Sequence, residues 1–138
     1  MRILIVGGVA GGATAAARLR RLDESAEIII FERSGYVSYA NCGLPYYIGD
    51  EITDRDELTL QTPQSFQRRF KIDVRTHHKV QKINREEKKI TVCDLNTGKI
   101  YEEEYDKLIL SPGARPVVPE FTKINSDRIF TLRTVEDT

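Results

Sequence analysis

The sequence predicts an α/β fold in which a parallel βαβ unit comes first and an antiparallel meander follows. Residues 2–6 and 27–32 are apolar runs typical of buried strands, and the alanine- and arginine-rich residues 11–23 between them favour a helix. Strand, helix and strand in this order imply a parallel sheet with a right-handed crossover. With 138 residues, 40% of them hydrophobic, the chain is expected to bury one core.

The middle and second half of the chain have shorter elements. Residues 34–50 are predicted to be a loop that enters a short helix at about Leu44, and Thr62-Pro63 is a strong helix start that continues through Arg69. A meander is predicted from four short strands, at 72–75, 79–84, 88–94 and 99–105. Residues 95–98 form its hairpin turn, and a last apolar strand follows at 107–110.

Composition excludes several classes of function. Lys+Arg and Asp+Glu both number 21, so the formal net charge is zero, which argues against a nucleic-acid partner. No signal peptide and no apolar run of about 20 residues is visible, so we expect a cytoplasmic protein without a membrane partner. Cys42 and Cys93 form no CxxC pair and lie far in sequence from His77 and His78, so no metal site is expected.

A glycine-rich loop separates the first strand from the first helix. It consists of Gly7, Gly8, Val9, Ala10, Gly11 and Gly12. Gly7 and Gly12 match the first and third glycines of the G-x-G-x-x-G fingerprint that binds a pyrophosphate on helix amides, and Val9 replaces the second. Glu32 ends the second strand, where an acidic residue binds the adenosine ribose, and Arg33 follows near the adenine or a phosphate. An ordinary glycine-rich turn explains the loop alone; together these features predict a Rossmann-like dinucleotide site.

Cys42 lies in a polar, aromatic loop, residues 38–45, just before the predicted short helix. A helix amino terminus favours a thiolate over a thiol, and Gly43 leaves room for a ring or a second sulfur to approach. Taken alone, a single cysteine is more often structural than reactive, so the loop by itself leaves both interpretations open.

Four segments in order, 7–12, 38–46, 62–70 and 105–113, resemble the first third of the pyridine nucleotide-disulfide oxidoreductases, particularly the coenzyme A-disulfide reductase branch with its Ser-(Phe/Tyr)-x-x-Cys loop. The resemblance implies a Rossmann-like FAD-binding domain that is incomplete here. Residues 1–138 would be the N-terminal segment of a discontinuous domain, and the NAD(P)-binding and dimerisation domains would be absent. The parent protein would be a homodimer, and the segment alone would lack turnover.

The same resemblance implies FAD-dependent, NAD(P)H-driven reduction of coenzyme A disulfide, or of a related disulfide or persulfide, through a mixed disulfide on Cys42. Tyr47 occupies the slot that holds a second cysteine in glutathione-reductase-like relatives. An NADH oxidase or peroxidase that cycles Cys42 through sulfenic acid is the near alternative, and Ala10, where those enzymes carry a histidine, disfavours it. A non-catalytic nucleotide-binding module is the alternative of another class.

The resemblance also implies binding residues. The cofactor set is the glycine loop with Glu32, Arg33, Asn41, Val80, Ser111, Pro112, Gly113 and Arg133. The substrate set is Thr14, Arg18, Arg21, Ser38 and Asn41. The first three of these lie at i, i+4 and i+7, on one helix face where guanidinium groups suit phosphates. For the arginines alone a solvated surface face is the better explanation, and only the cysteine loop reverses it.

Overall fold

Two β-sheets and three α-helices make up the fold in the computed structural model, which describes residues 1–119 and 128–138. The helices are α1 (Ala10–Leu22), α2 (Leu44–Ile48) and α3 (Pro63–Phe70). The strands are β1 (Arg2–Val6), β2 (Glu27–Phe31), β3 (Asp73–Arg75), β4 (His78–Asn84), β5 (Lys89–Asp94), β6 (Ile100–Glu104) and β7 (Lys107–Leu110). Single 3-10 turns cover Asn41–Gly43, Arg55–Leu58 and Val135–Asp137.

The parallel sheet has the order β3-β2-β1-β7, and the antiparallel meander has the order β4-β5-β6. The central strands are apolar throughout because both faces of the sheet are covered. Ile3, Ile5, Ile28 and Ile30 pack with helix residues such as Ala16. The alternate residues Leu4, Ile29 and Phe31 pack with Ile90 and Val92 of the meander. The sheet is therefore sandwiched between helices and meander.

Two kinds of contact hold helix α1 in place: a buried face of small residues and hydrogen bonds near its carboxyl end. Ala13 and Ala16 are buried, and their small side chains let the helix lie close to the sheet. Near its carboxyl end, Arg20 donates hydrogen bonds to the carbonyl oxygens of Phe70 and Lys71 at the end of α3, at 2.7 and 3.0 Å. This arginine is therefore a structural clamp between two helices.

The predicted α/β class is confirmed, with one correction to the meander. Residues 72–75 were expected there, but β3 pairs in parallel with β2, with Asp73 opposite Ile29. The reason is that α3 makes a crossover between the two strands, and three residues of strand carry no pattern that identifies a parallel partner. Helix α3 begins as predicted, since Thr62 caps the Ser65 amide and Pro63 follows.

A half-buried ion cluster joins the parallel sheet to the meander. Arg75 of β3 donates to Glu103 of β6 and lies 5.4 Å from the centre of the Phe31 ring, and Arg2 of β1 also pairs with Glu103. Burial opposes ionisation of Glu103, but its hydrogen bond to Arg75 and the charges of both arginines hold the pKa of this carboxyl below its usual value. The cluster therefore stabilises the fold in its charged form.

Because the pKa of Glu103 is lower in the folded than in the unfolded state, its contribution is present above the unfolded pKa of about 4.3 and is lost as the pH falls through the folded value. We expect Glu103→Gln to lower the free energy of unfolding at pH 7 by about 1–3 kcal/mol, and to flatten its decline in acid. Urea unfolding at pH 7 and in mild acid measures both effects. Glu102→Gln is the control, because within the described residues the one ion-pair partner of that exposed carboxylate is Lys89, at 4.0 Å. If both substitutions lowered the free energy of unfolding equally, Glu103 would not be the carboxylate that stabilises the fold in its charged form.

Within residues 1–119 and 128–138, no helix is long and apolar enough to cross a lipid bilayer.

Candidate functional site

A cleft opens where β1 and β2 end, the edge of a parallel sheet at which α/β folds bind ligands. The glycine loop, the end of β2, the start of β4 and the turn after β7 form its walls. The predicted cofactor residues that line it are Gly7, Val9, Glu32, Arg33, Asn41, Val80, Ser111, Pro112, Gly113 and Arg133. Ala10 and Gly11 line an adjoining depression, shared with Asn41, Ser111 and Arg133. Folding thus brings together residues that are far apart in sequence.

The glycine loop owes its shape to close backbone approaches. Gly7 has φ +93°, a left-handed conformation that favours glycine, and a Cβ there would lie 2.0 Å from the Ser111 carbonyl oxygen. A Cβ on Gly12 would lie 1.8 Å from the carbonyl oxygen of Gly7. Gly8 also lies in a tightly packed position of the loop, since a Cβ there would be 2.8 Å from the Val37 side chain. A side chain at Gly7 would therefore push the glycine loop away from the turn after β7, and one at Gly12 would push α1 away from the loop.

The amino terminus of α1 faces the cleft without a capping side chain. Val9 precedes the helix, no side chain hydrogen-bonds the first turn, and that turn holds no acidic residue. Such a helix end presents backbone N–H groups and a partial positive charge. Arg133 lies beside it, in the depression lined by Ala10 and Gly11. The arrangement suits an anion such as a pyrophosphate.

Glu32 is a buried carboxylate in the cleft wall, with 6% of its surface exposed. One oxygen accepts a hydrogen bond from the Gly8 N–H at 2.8 Å, and the other accepts from the N–H and hydroxyl of Ser34, both at 2.9 Å. A carboxylate has about four acceptor positions, so one remains for a ligand hydroxyl. These contacts fix the orientation of the Glu32 carboxylate in the cleft wall.

Cys42 lies in the 3-10 turn Asn41–Gly43, directly before α2, and it is exposed. It is outside the lining of the cleft, but its neighbour Asn41 lies in that lining. The turn itself is closely packed, because a Cβ on Gly43 would lie 2.9 Å from Leu58. Cys93, in β5, is only partly exposed. Cys42 is therefore the cysteine that a solution disulfide can reach beside the cleft.

The predicted substrate residues on α1 form an exposed face. Thr14, Arg18 and Arg21 point to solvent, and none of them has a hydrogen-bond or ion-pair partner within the described part of the chain. Arg20, between the two arginines, is instead held by backbone carbonyls of α3. Ser38 is half-buried at φ +50°, and its N–H donates to the Gly8 carbonyl at 2.9 Å. Its backbone thus ties the cysteine loop to the glycine loop.

The sequence did not predict eight further residues that line the cleft, namely Val6, Phe31, Ser34, Tyr39, His78, Lys79, Ala114 and Thr134. Ser34 follows Glu32 by two positions, a spacing at which a hydroxyl often bonds a neighbouring side chain or backbone group, so it could have been found. His78 reaches the cleft because its N–H donates to the Glu32 carbonyl, a pairing that only the fold reveals. Tyr39 belongs to the cysteine motif itself.

Comparison with known proteins identifies the family of the chain. Residues 1–138 match the pyridine nucleotide-disulphide oxidoreductase family, and the chain belongs to that family. It is 48% identical over 137 residues to a coenzyme A disulfide reductase of Staphylococcus epidermidis, covering 99% of this chain and 31% of that protein. The chain therefore spans about a third of the length of the curated relatives it matches.

Two solved structures show the same fold. Reduced CoADR-RHD of Bacillus anthracis matches with a TM-score of 0.94 and 53% identity, covering 99% of this chain and 25% of that one. An NAD-dependent persulfide reductase from A. fulgidus matches with a TM-score of 0.92 and 35% identity, covering 99% and 25%. Both belong to proteins much longer than this chain.

Proposed function

We propose that this chain is the thiol-bearing, N-terminal segment of the FAD-binding domain of an NAD(P)H-driven disulfide reductase. Its substrate is coenzyme A disulfide or a related disulfide or persulfide. The observation that carries the proposal is an exposed Cys42 placed directly after Asn41, which lines a dinucleotide-type cleft. The names of the relatives, a coenzyme A disulfide reductase and a persulfide reductase, support the substrate class.

The cleft fits FAD by its donor set. The free amides of α1 and the Arg133 guanidinium suit the pyrophosphate, and Glu32 suits the ribose hydroxyls. Val80, and the turn from Ser111 to Gly113, would border the adenine and the flavin. When bound, FAD supplies hydride acceptance from a nicotinamide and delivery of an electron pair to a disulfide.

The contribution of Cys42 is nucleophilic. Its thiolate attacks one sulfur of the substrate disulfide, so a bond forms between Cys42 Sγ and that sulfur while the original S–S bond breaks and a coenzyme A thiolate leaves. The hydride equivalent of NAD(P)H then reduces the mixed disulfide to the Cys42 thiolate and a second free thiol. Tyr47, five positions later, offers no sulfur, so the second sulfur comes from the substrate.

The exposed face of α1 is suited to the phosphates of coenzyme A. Arg18 and Arg21 are free to form bidentate contacts with phosphate oxygens, and Thr14 adds a hydroxyl on the same face. Ser38 and Asn41 would contact the substrate near the thiol. Arg20 is excluded from this role because carbonyl groups already occupy its guanidinium.

We propose that the remaining parts of the reductase, an NAD(P)-binding domain and a dimerisation domain, lie elsewhere in a longer, cytoplasmic homodimer. The residues 1–138 alone should then show no turnover. Comparing NAD(P)H oxidation by the isolated segment and by the full-length protein, with coenzyme A disulfide added, tests this expectation.

The proposal is tested on the full-length protein. Purified protein should show flavin absorbance and should oxidise NAD(P)H when coenzyme A disulfide is added. Activity with hydrogen peroxide or oxygen but not with the disulfide would favour the sulfenic acid cycle instead. A protein that binds an adenine dinucleotide but oxidises NAD(P)H with none of these substrates would be the non-catalytic module.

A further inference from the structure

Tyr39 is buried although it carries a hydroxyl, and it lies three residues before Cys42. Only 7% of its surface is exposed, and it lines the cleft. Its hydroxyl donates to the carbonyl oxygen of Arg133 at 3.4 Å. Burial is the main reason that the pKa of this phenol is raised above its ordinary value, which is already well above neutral, and the hydroxyl is therefore a donor at pH 7.

A second side chain of the cysteine loop reaches the same acceptor. The Asn41 amide nitrogen donates to the Arg133 carbonyl at 3.3 Å. A carbonyl oxygen has two lone pairs and can accept both bonds. Tyr39 and Asn41, both just before Cys42 in sequence, are therefore held by one atom from a segment about 90 residues away.

The segment that supplies this carbonyl is anchored by contacts in addition to the Tyr39 hydroxyl. Val135 is completely buried in a cluster with Leu44, Leu58 and the ring of Tyr39. Arg55 donates to the Val135 carbonyl at 2.7 Å. The Arg133 N–H donates to the Asp137 carboxylate at 2.8 Å. The Arg133 carbonyl is thus a fixed point to which the cysteine loop is attached.

The side chain of Arg133 belongs to the cleft. Its Nε donates to the Ala114 carbonyl at 3.3 Å, on the turn that follows β7. We propose that Tyr39 is a positioning residue for Cys42: its hydroxyl, acting through the Arg133 carbonyl, holds the turn Asn41–Gly43 against the wall of the cleft. The inference rests on the proposed function, because the position of Cys42 matters for catalysis only if its sulfur reacts beside a ligand in the cleft.

The test is Tyr39→Phe in the full-length protein, with Tyr36→Phe as the matched control. Tyr36 packs against the same cluster, but its hydroxyl has no hydrogen bond in the described structure. Tyr39→Phe should speed amide hydrogen exchange at Ala40 and Gly43 by about threefold, because their N–H groups donate to the carbonyls of Leu58 and Ala40 and so report on the attachment and closure of the loop. The kcat for disulfide reduction should fall by at least that factor with the KM for NAD(P)H unchanged.

Two results would overturn the inference. Exchange at Ala40 and Gly43 equal to that of the Tyr36→Phe control would show that the hydroxyl does not hold the loop. Faster exchange that extends to the amides of β1 and β5 would show a general structural role instead. If the unaltered protein reduces no disulfide, the proposed function fails, while the exchange measurement still decides whether Tyr39 holds the turn.

Discussion

Replacing Cys42 by serine in the full-length protein is expected to reduce disulfide reduction by about a thousandfold or more. A serine hydroxyl is not ionised near neutral pH and forms no mixed disulfide, so the first step of the proposed reaction is lost. The side chain is exposed and nearly the same size, so the fold should not change. NAD(P)H oxidation with coenzyme A disulfide measures the loss, and flavin absorbance per protein should stay constant.

Cys93→Ser is the control for this experiment. Cys93 lies in β5, within the meander, and its sulfur approaches only the Asp94 carbonyl, at 3.8 Å, in the described structure. We expect that variant to retain the rate of the unaltered protein within about twofold. Retention of full activity by Cys42→Ser would refute the assignment of the reactive thiol, whatever the behaviour of Cys93→Ser.

Gly7→Ala is the second substitution with a large expected effect. The added Cβ would lie 2.0 Å from the Ser111 carbonyl oxygen, so the glycine loop and the turn after β7 would have to separate. We expect the free energy of unfolding to fall by about 3 kcal/mol or more, and flavin retention to be lost, because both walls of the cleft move. Urea unfolding and flavin absorbance of the purified protein measure the two effects.

Gly98→Ala separates backbone strain from the close approach. Gly98 has φ +73°, also left-handed, but a Cβ there would meet nothing within 4 Å. Gly98→Ala should therefore lower the free energy of unfolding by only about 1 kcal/mol, the strain of a left-handed backbone at a residue with a Cβ, and should leave flavin binding unchanged. If the two alanine variants were equally destabilised, the argument from the Ser111 carbonyl would be wrong.

The parts of the fold that sequence predicted are those with local signals. The apolar runs of β1 and β2 identify strands buried on both faces, and Thr62 with Pro63 marks the start of α3 because capping is a local interaction. The glycine loop was found because its spacing reflects backbone approaches at Gly7 and Gly12. Each of these signals depends on a few residues that are close in sequence.

The parts that sequence did not predict depend on contacts between distant segments. Strand β3 pairs with β2 only because α3 carries the chain back across the sheet. Arg20 is a structural clamp while Arg18 and Arg21 are free, a difference set by carbonyl groups of α3 about 50 residues away. The hydrogen bond from the Tyr39 hydroxyl to the Arg133 carbonyl spans 94 residues, so no local sequence pattern predicts it.

The most direct test of the redox function is to identify the sulfur that reacts with substrate. The full-length protein, reduced and freed of reductant, should be mixed with coenzyme A disulfide and its peptides analysed by mass spectrometry. We predict a coenzyme A adduct on the peptide containing Cys42 and none on the peptide containing Cys93. An unmodified Cys42 under conditions where the protein turns over the disulfide would contradict the central claim.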